Sequence, residues 1–146
     1  MPKQVSSRTK SGKSVRVLRG TVFITRQVHF NSAHRLHNPT KSQAWNKKQY
    51  GLCTNPHWHG HNYVLEVTLR GEPDPVTGYI IGLGELKRIL NRAVVDKCDH
   101  RNLNDVLPGP TTAENVARWI MGQLDQAAKL PARIVSRVDV HETAKT

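Results

Sequence analysis

Two histidines separated by one residue, His59-Gly60-His61, are the groups in this chain whose spacing most directly permits chemistry. On an extended strand, residues two apart point to the same side, with Cα atoms roughly 6.6–6.8 Å apart. Two imidazoles at that separation can converge on one zinc ion. His57 extends the row to i, i+2, i+4. Its outer members are about 13 Å apart at the same rise, too far for all three to share an ion. The third ligand is therefore expected from a neighbouring strand, and His34 qualifies. It closes a stretch whose even positions include Val22, Ile24, Val28, Phe30 and Ser32. Its rivals His29 and His37 fall on the polar face and in the following loop. A lone histidine is usually an ordinary surface or strand-end residue. A His-x-His pair with a third histidine ending the adjacent strand points instead to a metal. Three neutral nitrogen ligands leave zinc an open position, the mark of a catalytic site.

Three other groups bear on that centre. Cys53 is either a fourth ligand that closes the site or a free thiol beside the open position. In the second case a nearby cation lowers its pKa and makes it a usable base. Spacing alone leaves both open. Asp99-His100 follows a helical stretch. An acid beside a histidine holds one tautomer or shares in proton transfer, unless it is merely a polar helix terminus. Glu142 ends an apolar strand face, where a carboxylate needs a partner. That partner is a salt bridge, or a ligand presenting a flat pair of N–H donors.

The elements that must position these groups are readable from periodicity. Alternation over residues 21–34, 58–69 and 134–142 predicts three strands, interrupted at Arg26 for no evident reason. Residues 36–57, rich in Asn, Lys, Gln and Pro, read as a long loop. Gly71-Glu72-Pro73-Asp74-Pro75 marks a turn. Leu83, Leu86, Ile89, Leu90, Ala93 and Val94 predict an amphipathic helix ending near Asp99. A second helix begins at Thr111-Thr112-Ala113-Glu114, with Thr111 and Glu114 at capping-box spacing. Val116, Ile120, Leu124 and Ala127 form its apolar stripe. The strand-strand-helix-helix-strand order predicts an α+β domain, an antiparallel sheet with two helices packed on one face.

With 146 residues, 37% of them apolar, the chain suits one core. It has no apolar run long enough to span a bilayer and no apolar stretch in its basic N-terminus, so a cytoplasmic protein is expected. Its two cysteines, Cys53 and Cys98, are then expected to be free. The net charge of +11 invites a nucleic-acid partner, but about half of it lies in residues 1–20, which carry no acid. These residues read as a flexible basic extension before a domain over residues 21–146, capable of non-specific contacts with RNA. The smaller excess on the body suits a polyanionic small substrate.

Several stretches together resemble the 6-pyruvoyltetrahydropterin synthase family. They are Phe30-Asn31-Ser32-Ala33-His34-Arg35-Leu36, Gly51-Leu52-Cys53-Thr54-Asn55-Pro56, His59-Gly60-His61-Asn62-Tyr63 and Gly71-Glu72-Pro73-Asp74-Pro75. Cys98-Asp99-His100-Arg101-Asn102-Leu103-Asn104, Thr112-Ala113-Glu114-Asn115 and Glu142-Thr143 continue the match in order, over about residues 22 to 143. The resemblance implies His34, His59 and His61 as zinc ligands, and Cys53 as a catalytic base rather than a ligand. It implies Asp99 and His100 as a proton-transfer pair, and Glu142, with Thr112 nearby, as the pterin anchor. It also implies the tunnelling fold (T-fold) and a homohexamer with active sites between subunits. The implied substrate is 7,8-dihydroneopterin triphosphate. Five residues separate Cys53 from His59, which resembles the pyruvoyl-forming enzymes more than the 6-carboxytetrahydropterin synthases of the queuosine route. Cys98 stands where the family usually has leucine, and the chain stops at Thr146 where relatives continue with a further strand.

Overall fold

Two thirteen-residue strands paired along their whole length carry the structure. The computed structural model describes residues 20–127 and 134–145, with the backbone alone of 5–8 and 14–17. In chain order, β1 (Val5–Arg8) and β2 (Ser14–Val17) form a separate antiparallel pair. The expectation of a flexible extension over residues 1–20 falls largely outside the described residues. Then come β3 (Val22–His34), α1 (Gln43–Tyr50) and β4 (His59–Gly71). They are followed by α2 (Leu83–Leu90), a π-helical continuation (Asn91–Val95), α3 (Asp96–Cys98) and β5 (Arg101–Asn102). Helices α4 (Leu103–Val106) and α5 (Ala113–Gln126) lead to β6 (Val135–His141).

The main sheet has the order β5-β3-β4-β6. β3 and β4 run antiparallel in register from Val22 opposite Gly71 to His34 opposite His59. One face buries Val28, Phe30, Tyr63, Leu65, Val67 and Leu69. Onto this face pack Leu86 and Leu90 of α2 and Val116, Ile120 and Leu124 of α5. The hydrogen-bond ladder joins β3 to β4, and burial of this apolar layer holds the helices onto the sheet. Phe30 and Tyr63 stack across the two strands at 4.9 Å.

The mixed α+β sheet and helices agree with the predicted fold class, and four details differ. The sheet is not wholly antiparallel, because β5 joins β3 in parallel through Ser32 and Ala33. Residues 36–57 are not a plain loop but contain α1 and the 3-10 turn Gly51–Thr54. The N-cap of α5 is Thr112, not Thr111: the Thr112 hydroxyl accepts the Asn115 N–H. Thr111 is fully buried and is used elsewhere. Leu83, predicted to face the core, is exposed at the first turn of α2.

Candidate metal centre

The antiparallel register brings His34 and His59 directly opposite one another, and His61 opposite Ser32. All three side chains leave the core face of the sheet at its open end. His57 does not join the row. Trp58 adopts φ 60°, a left-handed conformation that breaks the alternation just before β4 begins, and His57 is exposed. His29 is exposed on the opposite face.

The ligand-capable nitrogens of His34, His59 and His61 lie within 4.8 Å of one another. Among the described residues, Cys53 is outside this set. His34 Nε2 faces His59 Nε2 at 2.9 Å. The rings meet edge to face at centroid distances of 4.5, 4.9 and 5.1 Å. His34 is buried, and its Nδ1–H donates to the Thr111 carbonyl at 2.9 Å. That bond fixes the tautomer, leaving the lone pair of Nε2 aimed at the cluster. Glu142 Oε1, also an acceptor, lies 3.1 Å from the same nitrogen. The Nε2 of His61 is buried without a hydrogen-bond partner. Three ring nitrogens converging on one point, one of them orphaned, are what a cation satisfies, so these residues fit zinc. Zn–N bonds of about 2.0–2.1 Å place tetrahedral ligands about 3.3 Å apart, within the spread observed here.

Burial holds the pKa of His34 below the ordinary imidazole value, although the Thr111 bond and the Glu142 charge oppose this. His59 is lowered too, chiefly by burial and then by its histidine neighbours. Both shifts favour the neutral form that binds metal. Tyr63, two residues beyond His61 on the same face, donates its hydroxyl to Glu142 Oε1 at 3.2 Å. Burial, with the Glu142 charge, pushes the pKa of that phenol far up, so it remains a donor. Glu142 thus touches both the histidine cluster and a cavity of about 690 Å³ shared with His61, Asn62, Gln27 and Thr143. This volume is in the range of small-molecule sites.

Cys53 is half-buried on the 3-10 turn, and its carbonyl accepts the Leu36 N–H at 2.8 Å. The bond ties the turn to the chain two residues past His34. Cys98 is fully buried, and burial pushes its thiol up to about 12. Asp99 and His100 sit where β5 joins β3, and His100 lines an open cavity of about 470 Å³ that His61 and Asn62 also line. Asp99 Oδ1 accepts the Asn31 N–H at 2.8 Å, and Oδ2 accepts from His100 Nδ1 at 2.9 Å. These two bonds, the backbone one foremost, hold the Asp99 carboxyl below the usual carboxylate range. His100 is exposed, in a left-handed conformation at φ 54°. Thr112 is half-buried as a helix cap and does not line the Glu142 cavity. Sequence reasoning passed over Thr111 and Tyr63. The alternation of His59, His61 and Tyr63 signals the second, whereas nothing local signals the first.

Three histidines able to hold a metal ion, at the end of two long paired strands with helices packed on one face, define a small α+β protein with a candidate metal site. Comparison with known proteins narrows this. The family described as "6-pyruvoyl tetrahydropterin synthase" matches residues 23–146. The 6-pyruvoyl tetrahydrobiopterin synthase of Poecilia reticulata is 41% identical over 127 residues, 84% of this chain and 85% of that protein. The Homo sapiens protein of the same name is 38% identical, covering 82% of this chain and 84% of its own. The solved 6-pyruvoyl tetrahydropterin synthase of Caenorhabditis elegans superposes with a TM-score of 0.81 at 37% identity, covering 86% of this chain and 91% of that one. The chain belongs to the 6-pyruvoyl tetrahydropterin synthase family.

Proposed function

We propose that this chain is a zinc-dependent carbon–oxygen lyase that converts 7,8-dihydroneopterin triphosphate to 6-pyruvoyltetrahydropterin with loss of triphosphate. The observation that carries the reading is the convergence of the His34, His59 and His61 nitrogens beside a cavity bordered by Glu142. Membership of the family supplies the reaction class.

Bound zinc would polarise the substrate's side-chain oxygens and acidify the adjacent C–H. The protein's own groups do the rest. Thr111 keeps His34 in the metal-binding tautomer. The two oxygens of Glu142 accept the flat pair of N–H donors on the pterin, steadied by the Tyr63 hydroxyl. Thr112 contributes as the cap that sets the start of α5, next to the Thr111 carbonyl. Cys53 takes the proton from the side-chain carbon as general base. His100, with Nδ1 engaged by Asp99, presents Nε2 outward and relays a proton. The chain assembles as a homohexamer with its active sites between subunits. The triphosphate leaves while the ring takes up the hydrogens lost as the side chain becomes a diketone, so no external redox partner is required.

Incubation of the zinc-loaded protein with 7,8-dihydroneopterin triphosphate tests the proposal. 6-Pyruvoyltetrahydropterin and free triphosphate are expected. Carboxytetrahydropterin with acetaldehyde as the main products would assign the chain to the carboxy-forming reaction. An absence of turnover at full zinc occupancy would favour a non-catalytic zinc protein, whose basic extension binds RNA in a salt-sensitive way.

A further inference from the structure

The positive charge of this chain is segregated. No Asp or Glu precedes Glu66, and the Lys and Arg that follow balance the acids, so the whole +11 belongs to residues 1–65. Within the described part of that span, Arg35, His37 and Lys47 face one cavity of about 500 Å³, together with Gln43, Thr54 and Asn55. Among the described residues, neither Arg35 nor Lys47 forms an ion pair with a carboxylate.

The pocket is built rather than incidental. Arg35 is pinned through its backbone: its N–H donates to Asn104 Oδ1, and its carbonyl accepts from Asn104 Nδ2, both at 2.9 Å. Its Nε donates to the Thr54 carbonyl at 2.9 Å, and its Nη2 lies 3.4 Å from His37 Nδ1. The remaining guanidinium donors are left for a ligand. Across the cavity, Lys47 leans to Asn55 Oδ1 at 3.4 Å, and Gln43 stands one turn before it on α1. A planar fork and an ammonium without acidic partners, facing one concavity, are suited to a polyphosphate.

The place of the pocket in the chain gives it a purpose. Arg35 follows His34 directly, and Thr54 and Asn55 follow Cys53 directly. The pocket therefore lies where the chain just past His34 is hydrogen-bonded to the turn that carries Cys53, through Leu36 N–H to the Cys53 carbonyl and Arg35 Nε to the Thr54 carbonyl, and it shares no lining residue with the Glu142 cavity. We infer that Arg35, His37 and Lys47 form the subsite for the substrate's triphosphate, an assignment that rests on the proposed function. The pterin ring occupies the Glu142 cavity, the three-carbon side chain crosses the metal centre, and the leaving group lies in the cationic pocket. The same cations then stabilise the charge on triphosphate as it departs.

The test uses the purified full chain and two probes, inorganic tripolyphosphate by calorimetry and the pterin triphosphate by steady-state kinetics. Lys47→Ala and His37→Gln, both at exposed positions, are expected to weaken tripolyphosphate binding about tenfold for Lys47 and less for His37. Lys47→Ala is expected to raise KM by a similar factor with a much smaller fall in kcat, and Lys47→Glu more so. Binding of unphosphorylated 7,8-dihydroneopterin should not change. Normal turnover with tripolyphosphate affinity and KM unaltered in all variants would overturn the subsite and leave the function standing. Variant-sensitive tripolyphosphate binding without turnover of the pterin triphosphate would uphold an anion site and overturn the proposed function. Loss of dihydroneopterin binding in parallel with tripolyphosphate would show that the pocket does not separate phosphate from ring, and would also overturn the subsite.

Discussion

Removing one imidazole from the cluster should cost the protein its metal without unfolding it, and His59 is the residue to remove. It is half-buried at the first position of β4, whereas His34 is buried in full beside Thr111. His59→Ala therefore deletes a ligand with little change to the core. Structural zinc sites bind with on the order of 10 kcal/mol or more. Shared among three protein ligands, each accounts for roughly 3–4 kcal/mol, or a 10²- to 10³-fold change in Kd. Elemental analysis after dialysis, with chelator competition for affinity, reads this directly. Circular dichroism provides the control for folding. Stoichiometric zinc of unchanged affinity in folded His59→Ala protein would refute the three-histidine assignment.

Further outcomes follow from neighbouring groups. In Tyr63→Phe, loss of the hydroxyl donated to Glu142 should raise KM for the pterin roughly ten- to hundredfold, the worth of a hydrogen bond to a charged group. The ring stack on Phe30 and the zinc content should remain. Thiol titration of the native protein at mildly alkaline pH should modify Cys53 and spare Cys98, which is buried and pushed up to about 12. Unfolding should release the second thiol, and two fast-reacting thiols in the folded state would contradict this. The apoprotein should lose stability on acidification. His34 and His59 have folded pKa values below the ordinary 6.5, so the stability of their neutral forms is present above that value and is lost as pH falls through the lowered ones. Melting temperatures measured across mildly acidic pH should show that fall, and His59→Gln should shallow it.

The parts legible in sequence were those governed by apolar burial. Alternation placed β3 and β4, and hence the pairing of His34 with His59 and His61, because one face of each strand is in the core. The stripes of α2 and α5 were legible for the same reason. Helix α1 was not, since Asn46 is its one buried residue. Asn46 anchors the helix through polar bonds, accepting the Asn38 N–H at 2.7 Å and donating to the carbonyls of Asn38, Lys41 and Ser42. Hydrophobic periodicity cannot register such an element. The exclusion of His57 depends on one backbone angle at Trp58, and β5 is only two residues long. The bond from His34 to Thr111 spans 77 residues of sequence, so only the folded chain reveals which group orients the buried ligand. Glu142 was expected at a strand end in need of a partner. That its carboxylate reaches both His34 and Tyr63 depends on β6 lying beside β4.

Three histidines that hold the metal, with Cys53 apart as the base, leave a distinct signature in the metal's coordination shell. X-ray absorption at the zinc edge of the reconstituted protein tests it most directly. The expected spectrum shows a shell of nitrogen and oxygen scatterers at about 2.0–2.1 Å with three imidazoles, unchanged in Cys53→Ala. A zinc–sulfur distance of about 2.3 Å that disappears in Cys53→Ala would contradict it.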